Sequence, residues 1–428
     1  MHIYFSGIGG AGIGPLAQIA SQAGYEVSGS DQQASSYIDY LKKHGLNSIQ
    51  IGQSTEGIAA VHAKQPIDWF VYSSSIVEDH PELVFCRENG IKTSKRDELL
   101  NEILRDKDLK LIAIAGTHGK TTTTAMVVWL FKELGLPVSY SVGAKLSFGD
   151  MGHYEPGSEY FIYEADEFDR NFLAFEPFIS LITGVSWDHH EVFPTREDYQ
   201  AAFREFIDQS AHTFIWEEDA DYLGVQISDT LTRVDSGDPE IDMLTLKGKY
   251  NRLDAWLAAA AVMRLTGAAG NELIAAINRF AGLSRRMEPI IPNLYSDYAH
   301  TPEKIRGAMS VAREMANESG QKLVVVYEPL TNRRQHYMKD DYKDCFDGAD
   351  QLYWIPSYLA REDPSQPVLS PSEMIEHLDN PSIAEPIERD SDLKQVIQQH
   401  LDAGDMVVAM AGGGGNSLDD WLRRKFTA

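Results

Sequence analysis

Apolar runs, glycine turns and helix formers follow one another in a regular order along this chain. Residues 2–5 are apolar, residues 7–14 are glycine-rich, and residues 15–24 are helix formers closed by a glycine. That order predicts strand, tight turn and helix. A second short strand is expected over residues 25–28, ending near Asp31, and further apolar runs stand at 69–72 and 111–115, with helical stretches such as 95–104 between them. Short apolar strands alternating with helices predict a parallel sheet with crossovers.

The charged stretch 105–110 reads as a connector and sets a first boundary. Beyond it a second α/β region is expected, with strands at 111–115, 160–163 and 179–183 and helices at 121–134 and 254–265. The stretch 282–292 carries an Arg pair and two prolines around a change of pattern, and sets the second boundary. The last part alternates again, with strands at 322–327, 351–355 and 406–410, the last running into the glycines of 412–415 and a final helix from Leu418. The expected domains are therefore 1–107, 108–288 and 289–428. At 428 residues the chain exceeds one ordinary core, which agrees with that count.

Composition narrows the function. A net charge of −26 argues against nonspecific partnership with nucleic acid or an anionic membrane, because both need a basic surface. Any polyanionic ligand must then be held by local donors, so glycine loops and small Arg or Lys groups become informative. Cys86 and Cys345 are the only cysteines, which excludes a disulfide framework and a cysteine-rich metal site. No apolar run approaches the roughly 20 residues of a membrane span, and the N-terminus has no export-signal pattern, so a cytoplasmic protein is expected.

The strongest chemical signal is the apolar run 111–115 leading into Gly116, Thr117, His118, Gly119, Lys120, Thr121 and Thr122. A strand that runs through a glycine loop into a helix is a phosphate cradle: loop N–H groups and the helix N-terminus face the phosphates, Lys120 supplies a charge, and the Thr121 hydroxyl suits Mg²⁺. A strict Walker A pattern would have glycine at position 114, where this chain has Ile114. Downstream, an apolar run ends in Glu164, Asp166, Glu167 and Asp169, and the next one leads to Asp188 and His189. Carboxylates at the carboxyl edge of a parallel sheet are placed to hold hard cations, so Thr121, Glu164 and His189 form one candidate metal site. On its own the N-terminal glycine turn, with Asp31 about where a ribose-binding acid belongs, favours a dinucleotide.

Taken together the motifs resemble the Mur ligase family, most closely its alanine-adding members. The resemblance rests on residues 7–14 with 28–31, 73–76 with Pro81 and Glu82, 115–124, 164–167, Asp188 with His189, 248–251, Arg285 with Arg286, and 297–300 with Pro302, all in family order from end to end. It implies an N-terminal Rossmann-like domain for a UDP-sugar, a central P-loop ATPase-like domain, and a C-terminal Rossmann-like domain for the amino acid. It also implies ATP and Mg²⁺ as cofactors and UDP-N-acetylmuramate and L-alanine as substrates, with no nucleic acid or membrane partner and a monomer or weak homodimer. By the same resemblance Gly7, Gly9, Gly10, Gly12, Asp31, Ser73 and Ser74 bind the UDP-sugar. Gly116 to Thr122, Asn251, Arg286 and Asp297 bind ATP, and Tyr298, His300 and Arg334 meet the amino acid. Lys120, His189, Arg286, His300 and Arg334 carry catalysis, with His300 open to a purely structural reading as well. No nicotinamide is expected.

Four departures from the family pattern bear on the acceptor and the metal site. The usual Thr-Asn-x-Glu before Asp-His is here Thr183-Gly184-Val185-Ser186, and the second adenine-contacting Asn is Asp254. Phe203 stands where the ligases of later peptide steps carry a modified lysine, and Thr331 replaces the first Arg of the C-terminal clamp, with Arg333 as a substitute. The expected reaction is phosphorylation of the lactyl carboxylate by ATP and attack of the amine on the acyl phosphate. Two rivals are a ligase that joins a tripeptide to the same sugar and a nucleotide-driven switch ATPase.

Overall fold

The computed structural model describes residues 1–73, 76–187, 192–359, 362, 365–413 and 416–427, without the side chains of Ser36 and Asp169. Among these residues the chain is α/β and forms three sheets. The first contains β1 (His2–Ser6), β2 (Glu26–Asp31), β3 (Ile49–Ile51), β4 (Trp69–Tyr72) and β5 (Lys92–Ser94) in the order β3-β2-β1-β4-β5, all parallel. β1 is buried at every position, as expected for a central strand covered by helices on both faces.

The second sheet comprises β6 (Lys110–Ala115), β7 (Ser139–Ser141), β8 (Gly152–His153), β9 (Tyr160–Glu164), β10 (Ile179–Ile182), β11 (Thr213–Trp216) and β12 (Leu231–Val234). Its order is β12-β11-β10-β6-β9-β7-β8, with only β7 and β8 antiparallel. β6 lies between β9 and β10, so the strand that feeds the phosphate loop is flanked by the two strands whose ends carry the acidic motifs. The third sheet has β13 (Glu288–Ile291), β14 (Leu294–Asp297), β15 (Leu323–Glu328), β16 (Gln351–Trp354), β17 (Ala384–Pro386) and β18 (Met406–Ala411), ordered β13-β14-β18-β15-β16-β17.

The chain divides into two compact units, residues 1–244 with 253–281, and residues 245–252 with 282–428. The first unit holds two sheets because one apolar core runs through both: Ile3, Phe5, Leu16 and Ile103 belong to the same buried cluster as Leu111, Ala113, Phe161 and Phe206. The expected connector at 105–110 is shorter than its charge suggested. The helix Arg96–Asp106 runs on to Asp106, and Lys110 already belongs to β6, where its ammonium meets Glu159 at 2.7 Å. The second change of pattern is a hairpin, with β13 antiparallel to β14 and Asn293 in the left-handed region (φ 65°) between them.

Candidate active site

In the second sheet the phosphate loop forms as its pattern predicts, between β6 and the helix Lys120–Glu133. Gly116 adopts φ 141° and Gly119 φ 77°, conformations that disfavour a side chain. There is also no room for one: a Cβ on Gly116 would strike Thr183 Oγ1, and one on Gly119 would lie 2.5 Å from Asp254 Oδ1. The departure at 183–186 now has a physical account, since that segment is the floor of the loop. Thr117 N donates to Gly184 O (2.8 Å), Ser186 N donates to Thr117 Oγ1 (2.9 Å), and the Thr183 hydroxyl donates to His118 O. Small residues let the two backbones approach this closely.

Lys120 reaches back along the loop, donating to Gly116 O (2.5 Å) and pairing with the fully buried Glu167 at 2.7 Å. Burial works against its charge, but Glu167 and Asp166 outweigh that cost and hold its pKa above the ordinary lysine value, so it is an ammonium. The Thr121 hydroxyl donates to Glu164 Oε1 (2.9 Å), and Glu164 Oε2 accepts from Gly143 N (2.7 Å). Among the described residues no group of three His, Cys, Asp or Glu converges on one point. A hydroxyl beside a carboxylate nonetheless fits Mg²⁺, which keeps most of its waters and takes few protein oxygens. His189, the third expected ligand, lies outside the described residues, as does Ser74.

The N-terminal turn is braced from below. Gly7 N and Ile8 N donate to Ser30 O, and Gly9 N donates to Asp31 Oδ2 at 2.8 Å. The second Asp31 oxygen accepts from Gln33 N (3.2 Å), so this acid organises the turn itself. Gly10 N bonds Gly7 O, and Ser73 packs 3.5 Å from the Cβ position of Gly7. Beneath the turn the buried Glu82 accepts from Tyr4, Ser6 and Ser30 at 2.9, 2.6 and 2.8 Å, a cluster that quoting Glu82 as a motif residue did not reveal.

In the second unit Asp297 ends β14, and both its oxygens accept backbone N–H groups, from Met287 and Ala299. Burial raises its pKa, and the neighbouring Arg286 opposes that rise. Arg285 donates to Ala411 O and Gly413 O, and the Arg285 and Arg286 guanidinia lie 4.6 and 5.5 Å from the Tyr298 ring centre. His300 is buried where Gly412 leaves space for its ring. Its Nδ1 donates to Tyr298 O (2.7 Å), which leaves Nε2 as the acceptor, and burial with Lys304 depresses its pKa well below the usual value. Asn251 is tied to Lys247 O (2.7 Å) near the start of the helix Lys249–Thr266. Thr331 sits at φ 63° and accepts from Arg334 N, so it caps the helix Asn332–Met338. Arg333 and Arg334 are both exposed on that helix, and adjacent helical positions do not share a face.

The family models match in three consecutive blocks. Residues 2–108 match the model described as Mur ligase family, catalytic domain; residues 114–235 the Mur ligase middle domain; and residues 285–413 the Mur ligase, glutamate ligase domain. The chain belongs to the Mur ligase family. The middle-domain block contains the phosphate loop, Glu164, Glu167 and the bracing segment 183–186. A UDP-N-acetylmuramate–L-alanine ligase of Kineococcus radiotolerans is 30% identical over 402 residues, 86% of this chain and 83% of the relative, and one of Rickettsia bellii is 28% identical over 99% and 96%. Among Mur ligase structures, the UDP-N-acetylmuramate-alanine ligase of Thermotoga maritima superposes with a TM-score of 0.79 at 24% identity, over 100% of this chain and 98% of that one. A murein peptide ligase of Psychrobacter arcticus has the same fold, with a TM-score of 0.67 at 22% identity over 100% and 98%.

Proposed function

We propose that this Mur ligase joins the lactyl carboxylate of UDP-N-acetylmuramate to the amine of L-alanine at the expense of ATP. The γ-phosphoryl group passes to the carboxylate, giving ADP and an acyl phosphate. The amine adds to that carbonyl, and the tetrahedral intermediate expels inorganic phosphate. The observation that carries this reading is the loop in which Lys120, Thr121 and Glu164 meet, an arrangement suited to gathering polyphosphate and cation oxygens in a protein that is otherwise strongly acidic.

Mg²⁺ held by Thr121, Glu164 and His189 would neutralise phosphate charge. The chain's own residues do the rest. Lys120 and the loop amides orient the phosphates, and Asn251, Arg286 and Asp297 are assigned to ATP. The UDP-sugar is assigned to Gly7, Gly9, Gly10, Gly12, Asp31, Ser73 and Ser74. Tyr298 and Arg334 are assigned to the amino acid. His300, neutral with Nε2 placed as an acceptor, is suited to orient the incoming amine or to receive the proton that its nitrogen sheds on adding to the carbonyl. We keep the division 1–107, 108–288 and 289–428 as the functional one. No described helix is long and apolar enough to cross a membrane, and we propose a cytoplasmic monomer or weak homodimer. The deciding assay is phosphate release from ATP with UDP-N-acetylmuramate, with and without L-alanine or tripeptide. Turnover with tripeptide alone would replace alanine as the acceptor, and release without the sugar would sink the ligase reading.

A further inference from the structure

Arg286 stands between two residues whose backbone has the hand that side chains disfavour: Arg285 has φ 57° and Met287 φ 44°. Two such residues around one side chain persist only where the surroundings fix them. In the second unit they are fixed. Arg285 N donates to Glu288 Oε2 (2.7 Å), Arg285 O accepts from Tyr298 N (2.8 Å), and Met287 N donates to Asp297 Oδ2 (2.9 Å). The Arg285 side chain is spent on the carbonyls of Ala411 and Gly413. Arg286, half-buried, makes no hydrogen bond or ion pair among the described residues. The segment thus pins its own backbone and leaves one guanidinium uncommitted.

One of these supports comes from far along the chain. Glu288 is itself gripped by Arg423 of the last helix, Leu418–Phe426: Nη2 donates to Oε2 (2.7 Å) and Nη1 to Oε1 (3.4 Å). The Nε of the same guanidinium donates to both Asp419 oxygens at 3.2 Å, and Asp419 Oδ1 accepts from Ser296 Oγ of β14 at 2.5 Å. Leu418 and Leu422 of that helix share a buried cluster with Leu294 and Val407, so the anchor is rigid. Without Arg423, Glu288 would be free to turn to water, and Asp419 would draw on Arg285, whose Nε already lies 3.7 Å from its Oδ2. Resting on the assignment of Arg286 to ATP, we propose that Arg423 is the positioning residue for Arg286. Through Glu288 it locks the left-handed pair and holds the free guanidinium in the orientation used for phosphoryl transfer.

Steady-state phosphate release and hydrogen exchange test this in the full chain, at a temperature where every variant is folded. Arg423→Ala should lower kcat about 10- to 100-fold, as a misaimed group does, and leave the KM for UDP-N-acetylmuramate and for L-alanine within about two-fold. Exchange of the Arg285 and Met287 amides should quicken while the amides of β14 and β18 stay protected. Glu288→Gln keeps an acceptor for Arg285 N but loses the ion pair, and should give a smaller loss in the same direction; it carries the same comparison if Arg423→Ala does not fold. In an Arg286→Lys background, where no fork remains to be aimed, Arg423→Ala should cost no more than about two- to three-fold. An equal cost in both backgrounds would make Arg423 a general support and overturn the proposal, as would an unchanged kcat in Arg423→Ala or Glu288→Gln. If Arg286→Lys itself turns over at the parent rate, the assignment of Arg286 to ATP fails instead.

Discussion

Asp254 is the residue whose replacement should be most informative. Its carboxyl group is buried against Gly119 and beside the Thr123 hydroxyl, and burial pushes its pKa from 3.8 up to about 7. The unfolded chain gives up this proton near pH 3.8, whereas the folded protein keeps it until about pH 7. Folded stability therefore falls as pH rises through that window and levels off above it. At about 1.36 kcal/mol per pH unit, the gap between 3.8 and about 7 amounts to roughly 4 kcal/mol, an upper figure that local relaxation would cut to ~2. Asp254→Asn removes the titration while keeping the shape. We expect the variant and parent to melt alike near pH 5, apart from a constant packing difference, and the variant to gain a few degrees relative to the parent at pH 8. The same charge lies beneath the phosphate loop, so the KM for ATP should rise from pH 6 to pH 8 in the parent more than in the variant. Scanning calorimetry and steady-state kinetics at the two pH values test both statements. Parallel stability curves across the range would refute the reasoning, because any pH-independent cost of the amide cancels in that comparison.

Lys120→Ala should abolish ligation while calorimetric affinity for UDP-N-acetylmuramate stays nearly unchanged. It should also lower the melting temperature, since it strands the buried Glu167 at a cost of about 3–5 kcal/mol, and adding Glu167→Gln should restore most of that loss. Glu164→Gln should shift the Mg²⁺ dependence of the rate to higher concentration, and an unaltered titration would remove Glu164 from the cation site. If Arg334 clamps the amino-acid carboxylate as proposed, Arg334→Lys should raise the KM for the amino acid far more than that for ATP, measured by phosphate release, because lysine cannot bind it bidentately.

How much of this was legible beforehand depended on burial. β1, β4, β6, β9 and β18 are central or well covered, and their runs of apolar residues were read as strands at nearly the right positions. β5, Lys92–Ser94, and β17, Ala384–Pro386, sit at sheet edges, where one flank is unpaired and a polar residue costs little, so nothing in their composition distinguished them from loop. The phosphate loop was legible because its chemistry is local in sequence. The Lys120–Glu167 pair, the Asp254 contact with Gly119 and the Glu82 cluster join residues 47, 135 and up to 78 positions apart, and no spacing rule connects them. The Thr331 departure read as a lost substrate contact, and the capping role that the structure adds for that threonine, at φ 63°, could not be read from the sequence.

The single apolar core beneath the first two sheets limits how this enzyme can be taken apart. A chain severed between Asp106 and Lys110 would leave Leu99, Ile103 and Leu104 on one fragment and Leu111, Phe161 and Phe172 on the other, each without part of the cluster that covers it. At about 25 cal/mol per Å² of apolar surface, fragments that expose such faces aggregate more readily than they fold. The layer carrying the N-terminal glycine turn and the layer carrying the phosphate loop are thus inherited together. Grafting either onto a relative requires matched changes on both sides of the core, and the boundary that motifs draw near residue 107 is a border of chemistry within one cooperative body.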